Sequence, residues 1–425
     1  MIDTTQSTTA TPDTSIRTSE PPTGTGPLLR REARLAWGLL FPTIAIVSAV
    51  VILPLLSIFW ISFKPIGLAD LRPPAPVVRE ALRGSGDEMR IQYRVRNSSQ
   101  SEPIGAVTVR DIIPDGVVVI SSDERCSITG GDIFCDLGDL EGGARDEVEL
   151  FVSINGEEST IEDAIEGSEP QLTGSGNNIL TNAEFTTENF ARIFDGEEFW
   201  GVLGVTIFYT VFGTIGALVF GLFAALLLNK EFKGQGILRG LYLFPYVAPV
   251  IAVAFAWIIL FDPFSGSANA LLIQMGVTNE AINFFGERPL ALIMVTVFEI
   301  WRYFPLSFLF ILARMQSIDT DMYEAADMDG ASPFQKFWYL SVPQLLGILS
   351  VLFLLRFIWT FNKFDDIFLL TGGNAGTRTL TVNVYEQAFA VSNIGAGAAV
   401  AVVIFCCLLL FSVFFFKYVS REEGL

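Results

Sequence analysis

Six long, mainly apolar runs constrain this chain more than any other feature. They extend over about Leu35 to Phe63, Trp200 to Leu228, Leu241 to Phe261, Leu290 to Met315, Leu345 to Leu370 and Ile394 to Tyr418. Each exceeds the roughly 20 residues that a helix needs to cross a bilayer, and no apolar run is left over for a seventh. The chain also carries 46 acidic against 27 basic residues, a net charge of -19, while 51% of its residues are hydrophobic. Both hold together only if apolar and acidic residues are segregated. The runs are therefore read as six spanning helices of an all-α polytopic membrane protein, with the acid between them.

Lys and Arg in the short flanks orient the spans. Arg30, Arg31 and Arg34 precede the first, and Lys230, Lys233 and Arg239 join the second to the third. Arg314 and Lys336 lie between the fourth and fifth, and Lys417 and Arg421 follow the last. Alternating spans put all four groups on one side, which the positive-inside rule makes the cytoplasm, together with both termini. The first run is too long for a cleaved signal peptide, and no small-residue cleavage site follows it. Residues 1–28, rich in Thr, Ser, Pro and Gly, cannot offset their ordering entropy by burial. They are expected to form a disordered cytoplasmic tail ahead of a first transmembrane helix over residues 29–64.

Residues 71–181 form an acidic insertion that this orientation places outside. Apolar alternation in Arg90 to Arg96, Ala106 to Arg110 and Glu147 to Ile154 predicts short strands. Turn residues at Asn97-Ser98-Ser99, Pro114-Asp115-Gly116 and Thr129-Gly130-Gly131 punctuate them, as in an antiparallel all-β sandwich. Cys126 and Cys135 flank the last of these turns on the face expected to be oxidising, and are either a disulfide or two buried thiols. Cys406 and Cys407 read as small apolar residues of the last span. Neither pair has metal-ligand spacing, and the chain contains no histidine. The acidity of the insertion reads first as a solvated surface.

The loop over residues 317–344 is polar and tightly punctuated. Asp321 with Glu324 resembles a capping box opening one helix, and Gly330 suits the left-handed turn that ends it. Ser332, Pro333 and Gln335 supply the N-cap, first-turn proline and reciprocal cap of a second helix, expected to run to about Leu340. Its Phe334, Phe337, Trp338 and Tyr339 are either packed under the membrane domain or presented to a groove on another protein. Polar residues also enter the spans themselves. Glu299, Arg302 and Tyr303 lie in the fourth, while Arg356, Thr360 and Lys363 make a stripe along the fifth. Such groups line something wet or pair internally, here Glu299 with Arg302 or Arg356. Pro245 and Pro249 should kink the third span. Gly213, Gly216, Ala217, Gly221, Ala224 and Ala225 should let a neighbour approach the second.

The run Tyr323-Glu324-Ala325-Ala326, then Asp329-Gly330-Ala331-Ser332, resembles the Glu-Ala-Ala loop of permease subunits of binding-protein-dependent ABC importers, in the maltose-type sugar branch. Phe185 to Phe194, Pro245 to Pro249, Phe361 to Asp365 and Leu370 to Gly373 match further elements of that family. The resemblance implies a six-helix permease core over residues 185–425 with the first helix. It implies that Glu324, Ala325, Ala326, Asp329, Gly330, Ser332, Pro333, Phe334 and Phe337 couple to an ATPase, the helix after Ser332 being the mechanical link. It also implies that Tyr246, Glu299, Arg302, Tyr303, Leu306, Arg356, Thr360 and Lys363 line the solute path. Here Glu299 and Arg356 replace neutral groups and Leu306 replaces an aromatic, which departs from a maltose site.

The partners implied are a second, distinct permease, two ATPase subunits that bind ATP and Mg, an extracytoplasmic solute-binding protein and membrane lipid, with no nucleic acid. This chain has no Gly-x-x-x-x-Gly-Lys-Ser/Thr loop, and Gly234-Gln235-Gly236 follows no strand, so it is expected to bind no cofactor and to be no enzyme. Tyr93-x-Val95-x-Asn97 and Cys135-Asp136-Leu137-Gly138 resemble an immunoglobulin-like repeat of prokaryotic surface proteins. A large external domain occupies the same place in the maltose-type permease and helps hold the loaded binding protein, so similar contact is expected of this insertion. The competing class is an ion-coupled secondary transporter of a small polar solute, which would need neither the aromatic loop helix nor an ATPase.

Overall fold

The computed structural model describes residues 27–100, 102–156, 158–195 and 198–418. Residues 1–26 of the expected tail lie outside the described residues. The first span is helical through Pro27–Val47, a π-helical turn at Ser48–Ile52, and Leu53–Ser62. The second, fourth and sixth are Glu198–Leu228, Leu290–Gln316 and Ile394–Tyr418, within two residues of their apolar runs.

Two spans depart from the sequence reading. The third is broken into Gln235–Val247 and Val250–Leu260, which meet at 91°. Pro249 has no N–H to continue the ladder, and its ring forces Ala248 into an extended conformation with ψ 143°. The fifth starts and stops earlier than expected, as one helix over Pro333–Phe361, with Asp365–Thr371 a separate turn beyond it. The segment after Ser332 is therefore not a free-standing rod ending near Leu340. Pro343 would ordinarily interrupt a helix here, but a π-helical turn at Phe337–Ser341 absorbs its missing donor and lets the helix run on.

Small residues set the contact between the second and fourth spans. A Cβ added at Gly221 would lie 2.6 Å from Ser307 Cβ and 2.8 Å from the Phe308 backbone nitrogen, so the two backbones touch. Ala225, Leu228, Phe308, Ile311 and Leu345 are fully buried around that contact and tie in the fifth span.

Among its described residues the insertion holds eight strands: β1 (Pro76–Arg83), β2 (Arg90–Asn97), β3 (Ile104–Ile112), β4 (Val117–Ser122), β5 (Cys126–Thr129), β6 (Asp132–Leu140), β7 (Arg145–Ile154) and β8 (Gln171–Gly176). They make two antiparallel four-stranded sheets, ordered β1-β2-β7-β4 and β5-β6-β3-β8. Inward residues of both, among them Ile91, Tyr93, Val107, Val109, Ile133 and Leu150, share one buried core. Helix Glu158–Glu166 adds Ile161 and Ile165 to it. Cys126 and Cys135 stand opposite each other on β5 and β6 and are joined as a disulfide. Inside, the Tyr93 hydroxyl donates to Asp111 at 2.8 Å, linking the two sheets, and the Ser168 hydroxyl donates to Glu80. Burial pushes the Glu80 carboxyl up to about 7.

The two ends of the insertion are held side by side. Trp60 Nε1 donates to Leu180 O at 2.8 Å, and Lys64 Nζ donates to Asn182 O and Oδ1 at 2.6 and 2.7 Å. Asn189 Nδ2 donates to Ser62 O and Lys64 O at 3.0 and 2.8 Å, satisfying carbonyls at the end of the first span. Gly395 permits this, because a Cβ there would lie 2.3 Å from Lys64 O.

Candidate functional site

The polar residues of the fourth and fifth spans converge. Glu299 is fully buried; its Oε1 accepts from Arg356 Nη2 at 2.7 Å and from the Thr360 hydroxyl at 2.9 Å. Its Oε2 accepts from the Tyr209 hydroxyl of the second span at 3.1 Å. Gly213 makes the room, since a Cβ there would stand 3.0 Å from Glu299 Cγ. Of the two ion pairs open on sequence, Glu299 thus takes Arg356. Arg302 turns to the broken third span, donating to Pro245 O and Ala248 O at 3.1 Å each, with Asp366 at 4.0 Å. Breaking a helix frees carbonyls, and a guanidinium fork is a good donor to two of them.

Lys363 Nζ donates to the Tyr303 hydroxyl and lies 3.6 and 3.8 Å from Asp365 and Asp366. A cavity of about 280 Å³ opens here, lined by Tyr246, Glu299, Tyr303, Leu306, Arg356, Trp359, Thr360 and Lys363. All the residues foreseen for a solute path therefore meet on one space except Arg302, which stands behind its wall. Sequence reading missed Trp359 and Asp366. Trp359 sits three residues after Arg356 and four before Lys363, on the stripe already recognised. Asp366 is fully buried, with neither carboxylate oxygen hydrogen-bonded among the described residues. An acid this close to the end of a span was its signal.

The loop forms a helical hairpin. Its first arm is Thr320–Met328, capped by Asp319, whose side chain accepts from the Asp321 amide at 3.0 Å. The expected cap at Asp321 is displaced by two residues, because Asp319 is the one with extended backbone and Asp321 spends its amide on it. Glu324 and Ala325 are exposed on this arm, and Ala326 is half-buried. Gly330 takes φ 76° after Asp329, as a left-handed helix end requires. Ser332, Pro333 and Gln335 form the anticipated box: Gln335 Oε1 accepts from the Ser332 amide at 2.8 Å, and Ser332 Oγ from the Gln335 amide at 3.3 Å. Lys336 bridges to Asp327 at 2.5 Å and the Tyr323 hydroxyl meets Ser341 Oγ at 2.9 Å, fastening the two arms. Phe334, Trp338 and Tyr339 are 71%, 51% and 77% exposed, while Phe337 is half-buried beside Trp338. Most of the aromatic set is thus exposed on the surface of the chain.

Residues 217–422 match the family described as the binding-protein-dependent transport system inner membrane component. The chain is similar to the inner membrane ABC transporter permease protein YcjO of Escherichia coli (strain K12), 36% identical over 226 residues, covering 53% of this chain and 75% of that protein. It is also similar to the trehalose/maltose transport system permease protein MalF of Thermococcus litoralis, 32% identical over 230 residues, covering 54% and 77%. The sulfoquinovosyl glycerol transport system permease protein SmoG of Agrobacterium fabrum is 31% identical over 240 residues, covering 56% and 77%. In fold, the chain resembles the crystal structure of a bacterial ABC transporter involved in the import of the acidic polysaccharide alginate. The TM-score is 0.53 at 19% identity, covering 57% of this chain and 85% of that one. With most of the length of these permeases matched at such identity, the chain belongs to the inner membrane permease components of binding-protein-dependent ABC transport systems.

Proposed function

We propose that this chain is the transmembrane permease subunit of an ABC importer that moves a carbohydrate, of oligosaccharide size, into the cell. One observation carries the reading: polar side chains from the third, fourth and fifth spans converge on a single cavity inside an apolar bundle. The relatives that handle trehalose and maltose or sulfoquinovosyl glycerol support a sugar as the solute. ATP and Mg are bound by a separate ATPase pair, a second permease completes the path, and an external solute-binding protein delivers the solute. The Glu-Ala-Ala hairpin faces the cytoplasm, with both termini, and docks on the ATPase through Glu324 and the displayed Phe334. Its second arm is continuous with the fifth span. A push at Phe334 therefore travels along one helix, at about 1.5 Å per residue, to Arg356 and Thr360, with Lys363 just past its end. Tilting that helix moves one wall of the cavity and changes which side it opens to. The insertion is an immunoglobulin-like sandwich on the outer face and contacts the binding protein.

Isolation from native membranes tests this. The chain should bring an ATPase and a second permease with it, and saccharide uptake into proteoliposomes should require ATP and the binding protein. Phe334→Ala with Glu324→Ala should abolish uptake while leaving the membrane fold intact. Uptake driven by an ion gradient, with no ATPase retained, would overturn the reading. Removing residues 71–181 without weakening the hold on the binding protein would dispose of the role given to the insertion.

A further inference from the structure

The donors and acceptors around the cavity are unequal in number. Glu299, the one carboxylate in the lining, is fully buried and already accepts from Arg356, Thr360 and Tyr209. Arg356 is only 2% exposed, yet its Nε is buried without a hydrogen-bond partner among the described residues, and only Nη2 is engaged in one. Lys363 gives one of its three N–H groups to the Tyr303 hydroxyl; Asp365 and Asp366, at 3.6 and 3.8 Å, stand beyond hydrogen-bond reach. Trp359, 48% exposed, adds an aromatic ring to the wall. Against these donors, the other side-chain acceptors in the wall are the hydroxyl oxygens of Tyr246, Tyr303 and Thr360.

A neutral sugar hydroxyl both donates and accepts, so it is matched best by a wall whose donors and acceptors balance, whereas this wall has charged donors in excess. A carboxylate only accepts. We infer that the cavity takes a saccharide bearing a carboxylate, a uronic acid, with that group on Lys363 beside Arg356 and a ring against Trp359. This rests on the reading of the cavity as the solute path. The lining itself holds two cations against one anion. Arg302, Asp365 and Asp366 behind it bring the whole cluster to balance, so selectivity comes from directed donors at the wall more than from a net field.

The test uses the intact complex in nanodiscs and two disaccharides of one ring type, digalacturonate and neutral galactobiose, read by tryptophan fluorescence. Digalacturonate should change the signal at a concentration about ten-fold below galactobiose, the equivalent of one charge-assisted hydrogen bond. The change should vanish in Trp359→Phe. The preference should be lost in Lys363→Gln and kept in Lys363→Arg. Equal or tighter binding of galactobiose, or a preference that survives Lys363→Gln, overturns the inference and leaves the importer reading standing. A Trp359 signal indifferent to both sugars overturns the inference together with the solute path.

Discussion

Replacing Arg356 with methionine should destabilise the bundle sharply. Glu299 is fully buried and Arg356 2% exposed, at 2.7 Å from each other, so neither charge has water to fall back on. Breaking such a pair from one side costs about 3–5 kcal/mol. Glu299 keeps its bonds from Tyr209 and Thr360, which places the loss near the lower end, about 3 kcal/mol. At roughly 2–4 °C per kcal/mol for a core of this size, the unfolding midpoint of purified protein in detergent should fall by about 6–12 °C. The double variant Glu299→Gln with Arg356→Met removes both charges and leaves groups able to bond Tyr209 and Thr360. It should recover most of the loss, because replacing a buried pair as a pair is often close to neutral. Size-exclusion thermal shift on the two single variants and the double variant measures this. A single variant that melts with the parent, or a double variant whose loss equals the sum of the singles, would refute the account of Glu299 as a charge held only by its partners.

Gly221→Ala should cost about 2 kcal/mol, because the new methyl meets Phe308 backbone. Gly204→Ala, with nothing within 4 Å of the added carbon, should be harmless in the same thermal assay. Glu80 holds a proton in the folded insertion up to about pH 7 that the unfolded chain releases near 4.5, so its contribution is full below 4.5 and lost as pH rises through 7. The group is half-buried, and solvent screening reduces the effect to about 1–2 kcal/mol. Hydrogen exchange of β1 and β2 should accelerate between pH 5 and 8 beyond the intrinsic rate, and Glu80→Gln should flatten that excess. Ser332→Ala removes one bond of the capping box and should loosen the hairpin by about 1 kcal/mol, seen as faster exchange at Gln335 with the spans unaffected.

Much of this architecture is legible in the sequence because apolar length and helix punctuation are local signals. The apolar runs, the Ser332 box, the Gly330 turn and strands β2, β3 and β7 all follow from residues within a few positions of one another. What escaped depends on partners distant in the chain. The prolines announce a disturbed third span, but not a 91° break whose carbonyls are taken up by Arg302, more than fifty residues away. Pro343 lacks the donor a helix needs, yet a π-helical turn carries the helix past it. In the insertion, Arg79-Glu80-Ala81-Leu82 of β1 is composed like a helix, and β4 has an apolar run without alternation; each is a strand because a neighbouring strand pairs with it. Glu80 points inward on β1, where no alternation rule would put a carboxylate. Arg356 was visible on its stripe, but its choice over Arg302 as the partner of Glu299 was settled by the third span's demand for Arg302.

The clasp that Lys64, Asn182 and Asn189 make across the feet of the insertion has a consequence for how such a chain can change over time. Because the strands depart and return at neighbouring points, the helices register only a short fixed stub, whatever length or shape is spliced between. A lineage could exchange this module for another, or discard it, and leave the transport machinery undisturbed, provided the stub stays closed.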